Sequence, residues 1–89
     1  MNTARITFVN ATGRDLESIR ISGCSERVIP FLKAGDSTTV WISIPGDCSV
    51  EISYLMDGET RRETVAGYLT NFGGTIATYR IGSRQEILL

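Results

Sequence analysis

Ten carboxylates, eight arginines and two cysteines are the side chains that could do chemistry in this 89-residue chain, which has no histidine. Paired carboxylates can carry acid–base work of the kind glycoside hydrolases perform. Here Asp15, Glu17, Glu26, Asp36, Asp47, Glu51, Asp57, Glu59, Glu63 and Glu86 are dispersed, mostly at turns or outward strand positions, where solvation explains them. The lack of histidine removes the commonest general base, the usual partner of a serine or cysteine nucleophile, and most zinc sites. Two cysteines alone cannot close a four-ligand zinc site. No calcium loop of alternating aspartates occurs, and Gly73-Gly74 precedes a strand pattern rather than the Lys-Ser or Lys-Thr of a phosphate loop. A domain of this size also seldom forms a deep, water-excluding pocket. The expectation is a chain that is not an enzyme, with no catalytic, cofactor-binding or metal-ligating residues and no cofactor.

Surface side chains remain as candidates for recognition. Trp41 is out of phase with Val40, Ile42 and Ile44, so if those three face a core, Trp41 faces water. An outward Trp is a frequent interface anchor, because it gives a large contact area at small rotamer cost. Cover by the C-terminal tail or by a neighbouring long side chain is the alternative. Val9 and Leu55 are likewise out of phase with their inward neighbours. They would join Trp41 in one apolar patch if their strands share a sheet; single apolar residues scattered over a surface are the plainer reading. In Arg61-Arg62-Glu63 the adjacent arginines point to opposite faces, so at least one is exposed. Arg61 is the fourth candidate, as a contact for an anion or an acidic partner, against charge pairing across strands with Glu51 or Glu59. Tyr68 is expected to bond its hydroxyl to backbone across a sandwich corner, a structural role.

The elements that position these residues are strands. Turn signals recur at Asn10-Ala11-Thr12-Gly13, Ser22-Gly23, Ala34-Gly35-Asp36, Pro45-Gly46-Asp47, Asp57-Gly58 and Asn71-Phe72-Gly73-Gly74. The intervals are too short for capped helices, and no segment holds a helical apolar stripe. They show period-two alternation instead: Ile6 and Phe8; Ile19 and Ile21; Val40, Ile42 and Ile44; Val50, Ile52 and Tyr54. The predicted strands are 4–10, 16–22, 27–32, 37–44, 48–56, 60–68 and 74–82. The third holds Pro30, which cannot donate to a ladder, and is expected at an edge or kinked. Strands five and six meet across Asp57-Gly58, a hairpin signal. About seven short antiparallel strands with inward alternation predict two packed sheets, an all-β sandwich, with a barrel as the alternative.

Length fits one domain, residues 1–89, with 83–89 as a C-terminal tail. A hydrophobic fraction of 42% and a net charge of −1 argue against disorder. The same balance argues against non-specific nucleic-acid binding, and spread arginines read as a solvated surface. No apolar run approaches the ~20 residues of a membrane span, and Met1 to Asn10 lacks the layout of a signal peptide. The expectation is a soluble, cytoplasmic protein with no membrane partner. In that setting Cys24 and Cys48 are expected to be free thiols; a disulfide requires their Cα atoms within about 7 Å. Asn10-Ala11-Thr12 matches a glycosylation sequon and is read more simply as a turn. Ile87-Leu88-Leu89 is expected to dock on the sandwich, with an edge-strand extension or a contact to a second copy as alternatives.

Phe8-Val9-Asn10-Ala11-Thr12-Gly13, Ile19-Arg20-Ile21-Ser22-Gly23 and Leu32-Lys33-Ala34-Gly35-Asp36-Ser37 running into Val40-Trp41-Ile42 set a pattern. With Gly46-Asp47 before Val50-Glu51-Ile52-Ser53-Tyr54, it resembles small single-domain immunoglobulin-like proteins of proteobacteria. The resemblance implies an immunoglobulin-like sandwich, and carries no activity and no functional residue. The functional expectation is a non-catalytic protein-binding module, of the class that includes inhibitors and immunity proteins, with Trp41, Val9, Leu55 and Arg61 as contacts. The alternatives are a homo-oligomer assembled through an edge strand or the tail, and a small-ligand binder in which a sugar stacks on Trp41 and a nearby Tyr.

Overall fold

Alternating β-branched and polar residues become seven strands in the computed structural model, which describes residues 3–69 and 75–87, without the side chains of Tyr68, Leu69 and Thr75. They are β1 (Thr3–Asn10), β2 (Leu16–Gly23), β3 (Arg27–Leu32), β4 (Ser37–Ser43), β5 (Cys48–Met56), β6 (Glu59–Leu69) and β7 (Thr75–Ile81). Every predicted strand is present, with its ends within one residue of the expectation. Among the described residues no helix is long and apolar enough to cross a membrane.

The strands form two sheets, β4-β1-β7 and β3-β2-β5-β6. The expectation of antiparallel strands throughout is corrected in the first sheet, where β1 pairs with β7 in parallel. Hairpins join only β2 to β3 and β5 to β6; the other connections cross from one sheet to the other. Parallel neighbours need a long crossover, and here the rest of the chain supplies it.

Local chemistry sets the register. Asp57 and Gly58 both have positive φ, 53° and 79°, the pair that a two-residue type I′ hairpin turn requires. Ser18 (φ 48°) lies where the pairing of β2 with β5 slips by one residue. That bulge explains how Leu16, Ile19 and Ile21 all face inward although Leu16 and Ile19 are three apart. Pro30 stands opposite Ser18 in edge strand β3, where its missing N–H disturbs no central ladder.

The two inner faces meet in a core of Ile6, Phe8, Ile42 and Ile81 from one sheet and Leu16, Ile19, Ile21, Val50, Ile52 and Val65 from the other. Phe8 meets Tyr79 edge-on, ring centroids 6.2 Å apart. Asn10 is buried with every polar atom used. Its Nδ2 donates to Arg14 O (2.6 Å) and Leu32 O (2.9 Å), while its Oδ1 accepts from Thr12 N (3.1 Å) and Thr12 Oγ1 (2.7 Å). The sequon therefore folds as an Asx turn with its amide inside the protein.

The cysteines depart from expectation. Cys24 and Cys48 form a disulfide, their Cα atoms 5.2 Å apart. Cys24 directly follows β2 and Cys48 opens β5; these strands are antiparallel neighbours, so the two residues arrive side by side. Gly23 makes the approach possible: at φ +104° a Cβ there would lie 1.8 Å from Ser49 O.

Three of the four sheet edges carry a block against further strand pairing. On β4, Trp41 O accepts from Arg27 Nε (3.1 Å) and Ser43 N donates to Ser25 Oγ (3.2 Å). On β3 there is Pro30, and on β6 Val65 O accepts from Ile87 N (2.8 Å). Ile87 also packs on the core, so the tail docks on the domain at this residue; Leu88 and Leu89 lie outside the described residues.

Candidate functional site

The outer face of the three-stranded sheet is built from three cross-strand rows. Trp41, Arg5 and Ile76 form the first, Thr39, Thr7 and Thr78 the second, and Ser37, Val9 and Arg80 the third. Period two dictates this set: Ala4, Ile6, Phe8, Ile42, Tyr79 and Ile81 point inward, so their neighbours point out. Trp41 is 58% exposed and Ile76 69% exposed, although each belongs to a residue type that normally prefers cover. Between them the Arg5 guanidinium lies 5.5 Å from the centroid of the Trp41 ring, within cation–π range. This contact orients the indole without burying it. In the next row Thr7 Oγ1 and Thr39 Oγ1 are 2.9 Å apart, a hydrogen bond that holds two hydroxyls in the plane of the face.

The four candidate contact residues do not gather in one place. Trp41 and Val9 share this face, two rows apart. Leu55 lies on β5 in the other sheet and is half-buried, so the expected patch of Trp41, Val9 and Leu55 does not form. Its outward neighbours there are Glu17 on β2 and Thr60 on β6. Arg61 lies on β6, at the mouth of a cleft, and pairs along its own strand with Glu59 (3.6 Å). Tyr68, expected at a sandwich corner, has its side chain outside the described residues. The tyrosine expected to support a sugar on the Trp41 face is not there among the described residues: Tyr54 and Tyr79 are both in the core.

A second polar feature was not legible as such in the sequence. Glu63 is only 7% exposed, against the expectation of a solvated acid. Its Oε2 accepts from the Tyr54 hydroxyl, its Oε1 from the Tyr79 hydroxyl (2.6 Å), and Gly82 N donates to both oxygens (3.1 and 3.0 Å). Tyr54 and Glu63 belong to one sheet and Tyr79 to the other, so the carboxylate ties the sheets together where β6 faces β7. Parity with inward Val65 on the same strand is the sequence signal that points Glu63 inward. Above it lies an open cleft of about 220 Å³, lined by Arg61, Arg84, Met56 and Thr12 among others. With its oxygens engaged by three donor groups, Glu63 is held as an acceptor that joins elements rather than as a base poised toward solvent. Among the described residues no three His, Cys, Asp or Glu side chains converge as metal ligands.

Burial, then the hydrogen bond to Glu63, then its negative charge push the Tyr54 and Tyr79 phenols above their ordinary range. Below about pH 10 these phenols are protonated in both folded and unfolded chains and contribute no pH dependence. Above it the unfolded chain loses protons that the folded one keeps, so stability falls as pH rises, by at most about 1.4 kcal/mol per pH unit for each phenol. Urea midpoints measured with tyrosinate absorbance from neutral to alkaline pH should fall, and the tyrosinate of these two residues should appear only with unfolding. Ionisation of every tyrosine near pH 10 in a protein that stays folded would refute the clasp.

These features define a class: a small two-sheet β domain whose larger sheet is clasped to a three-stranded sheet with an open aromatic and cationic face. Set against known proteins, the chain matches no family model, no curated protein and no solved structure.

Proposed function

We propose that the chain is an immunoglobulin-like sandwich, akin to small proteobacterial domains of that type, and works as a non-catalytic module that docks a partner protein on the β4-β1-β7 face. Inhibitors and immunity proteins are the class it fits. The observation that carries this reading is the first row of that face. Trp41 on β4 and Ile76 on β7 stay open to solvent on either side of Arg5 on the central strand β1. Trp and Arg dominate binding energetics where they are presented together, and a sheet fixes their geometry before the partner arrives.

Self-assembly through an edge has less support, because β3, β4 and β6 carry the blocks described above. Cytoplasmic residence, expected together with free thiols, also has less support, since the cysteines are paired.

Trp41→Ala is the direct test. The variant should unfold within about 0.5 kcal/mol of the wild type, as a surface substitution does. Its affinity for a partner captured from native cells and then purified should fall about 30-fold or more, the loss typical of an anchor. Equal capture by both proteins would count against this face, and collapse of the variant would make Trp41 a structural residue. Light scattering of the full chain against a chain ending at Ser83 separates self-assembly; a monomer in both leaves the docking reading.

A further inference from the structure

The docking reading leaves the partner's chemistry open, and the distribution of charge narrows it. Strands β1, β4 and β7 contain no Asp or Glu, and their only charged residues are Arg5 and Arg80. The other seven basic residues and all ten acidic ones lie on the second sheet and in the connections. A chain of net charge −1 therefore presents one face with positive charge alone. Arg27 adds a third guanidinium at the rim, where its Nε holds Trp41 O. Among the described residues the ion pairs are Arg14–Asp57 and Arg61–Glu59; neither involves Arg5, Arg27 or Arg80. Among the described residues no carboxylate pairs with the cations of this face.

The spacing is also fixed. Arg80 is in register with Val9, four residues along β1 from Arg5. Four residues of strand and one strand spacing separate the two backbones by about 14 Å. A threonine row lies between them.

We propose that this face receives an acidic segment of the partner protein. Two of its carboxylates, about 14 Å apart, meet Arg5 and Arg80, and an apolar side chain lies against Trp41 and Ile76. The proposal rests on the docking reading and adds the chemistry of what docks. Guanidinium forks suit carboxylates, which they can grip with two parallel hydrogen bonds. A nucleic-acid strand fits less well. It needs a row of cations tracking successive phosphates and aromatics for successive bases; here Trp41 is the one aromatic on the face among the described residues. The isolated apolar groups at Ile76 and Val9 favour a polypeptide over a polyanion.

The test selects from a display library of random linear peptides long enough to span Arg5 and Arg80, on the immobilised full chain. Recovered peptides are titrated against the wild type, Trp41→Ala, Arg5→Glu, Arg80→Glu and the neutral Arg5→Gln. The expected peptides are rich in Asp and Glu. Each charge reversal should weaken them about tenfold or more at low salt, the neutral change less, and the difference should shrink as salt screens it. Variants are compared only where their unfolding midpoints match the wild type; if a reversal disturbs the fold, Arg5→Gln and an Arg80→Gln counterpart carry the test. Peptides that need Trp41 yet show no acidic enrichment and ignore the arginine changes would overturn the acidic partner and leave the docking reading standing. Peptides indifferent to Trp41→Ala would overturn both. Tighter binding of polythymidine or heparin than of any recovered peptide, lost in the same arginine variants, would overturn the choice of a protein.

Discussion

Glu63→Ala should cost about 4 kcal/mol of folding stability, much of what a domain of this size possesses. The substitution removes one acceptor group and strands three donors: the Tyr54 hydroxyl, the Tyr79 hydroxyl and Gly82 N. Each buried donor left without a partner costs about 1–3 kcal/mol. The hydroxyls can turn, and water can enter from the cleft beside Arg61 and Arg84, so the sum is not fully realised. Two comparisons separate the clasp from simple loss of volume. Glu63→Gln keeps the shape and one carbonyl acceptor, and a rotated tyrosine hydroxyl can accept from its amide, so it should cost about 1–2 kcal/mol. Tyr54→Phe and Tyr79→Phe each remove one donor and should cost about 1 kcal/mol in the wild type and less in the Glu63→Ala background. Urea unfolding with a constant slope is the measurement. A Glu63→Ala midpoint indistinguishable from the wild type, or tyrosine effects that simply add to it, would show that the carboxylate does not join the sheets.

The same residue shows why some of this protein could be read in advance and some could not. Alternation is a local property, so Ile6-Thr7-Phe8 or Val40-Trp41-Ile42 reveals the strand and which side of it is wet without knowledge of neighbours. That is why the strand ends and the outward position of Trp41 were legible. Asp57-Gly58 and Pro30 speak through backbone chemistry that is equally local, a positive-φ pair and a missing donor. Which strands share a sheet is decided by contacts distant in sequence, and alternation is blind to them. Leu55 and Trp41 look alike in phase, yet one lies on β5 and the other on β4, in different sheets. The parallel pairing of β1 with β7 and the meeting of Cys24 with Cys48 depend on the same non-local choice. Glu63 lies between the two cases. Its parity with Val65 pointed inward, but composition alone treats a carboxylate as solvated, and its burial becomes tolerable when the Tyr79 hydroxyl and Gly82 N join Tyr54 as its donors. The acid-free character of the β4-β1-β7 face was likewise present in three separate stretches of sequence and became a surface property only when the sheet joined them.

Opening the Cys24–Cys48 bond should be nearly as consequential as removing Glu63. The bridge closes a loop with a sequence separation of 24. By the chain-entropy account such a loop stabilises the folded state by about 3 kcal/mol, because the unfolded chain loses freedom that the folded one never had. Its site gives no strong reason for the folded state to change when the bond is broken. Cys24 lies against the core and Cys48 is half-buried beside it, and the β2–β5 ladder holds both ends in place without the bridge. The reduced protein and a Cys24→Ser/Cys48→Ser variant should therefore keep the same β-sheet circular dichroism and the same environment at Trp41, while their urea midpoints fall together. The serine pair should sit slightly lower, because it places hydroxyls where thiols packed. Equal midpoints for oxidised and reduced protein would show that β2 and β5 constrain the unfolded chain as much as the bond does. If a partner docks on the β4-β1-β7 face as proposed, its affinity should not move, since the bridge belongs to the other sheet. A loss of binding on reduction at unchanged fold would link the two sheets in a way that a rigid sandwich does not.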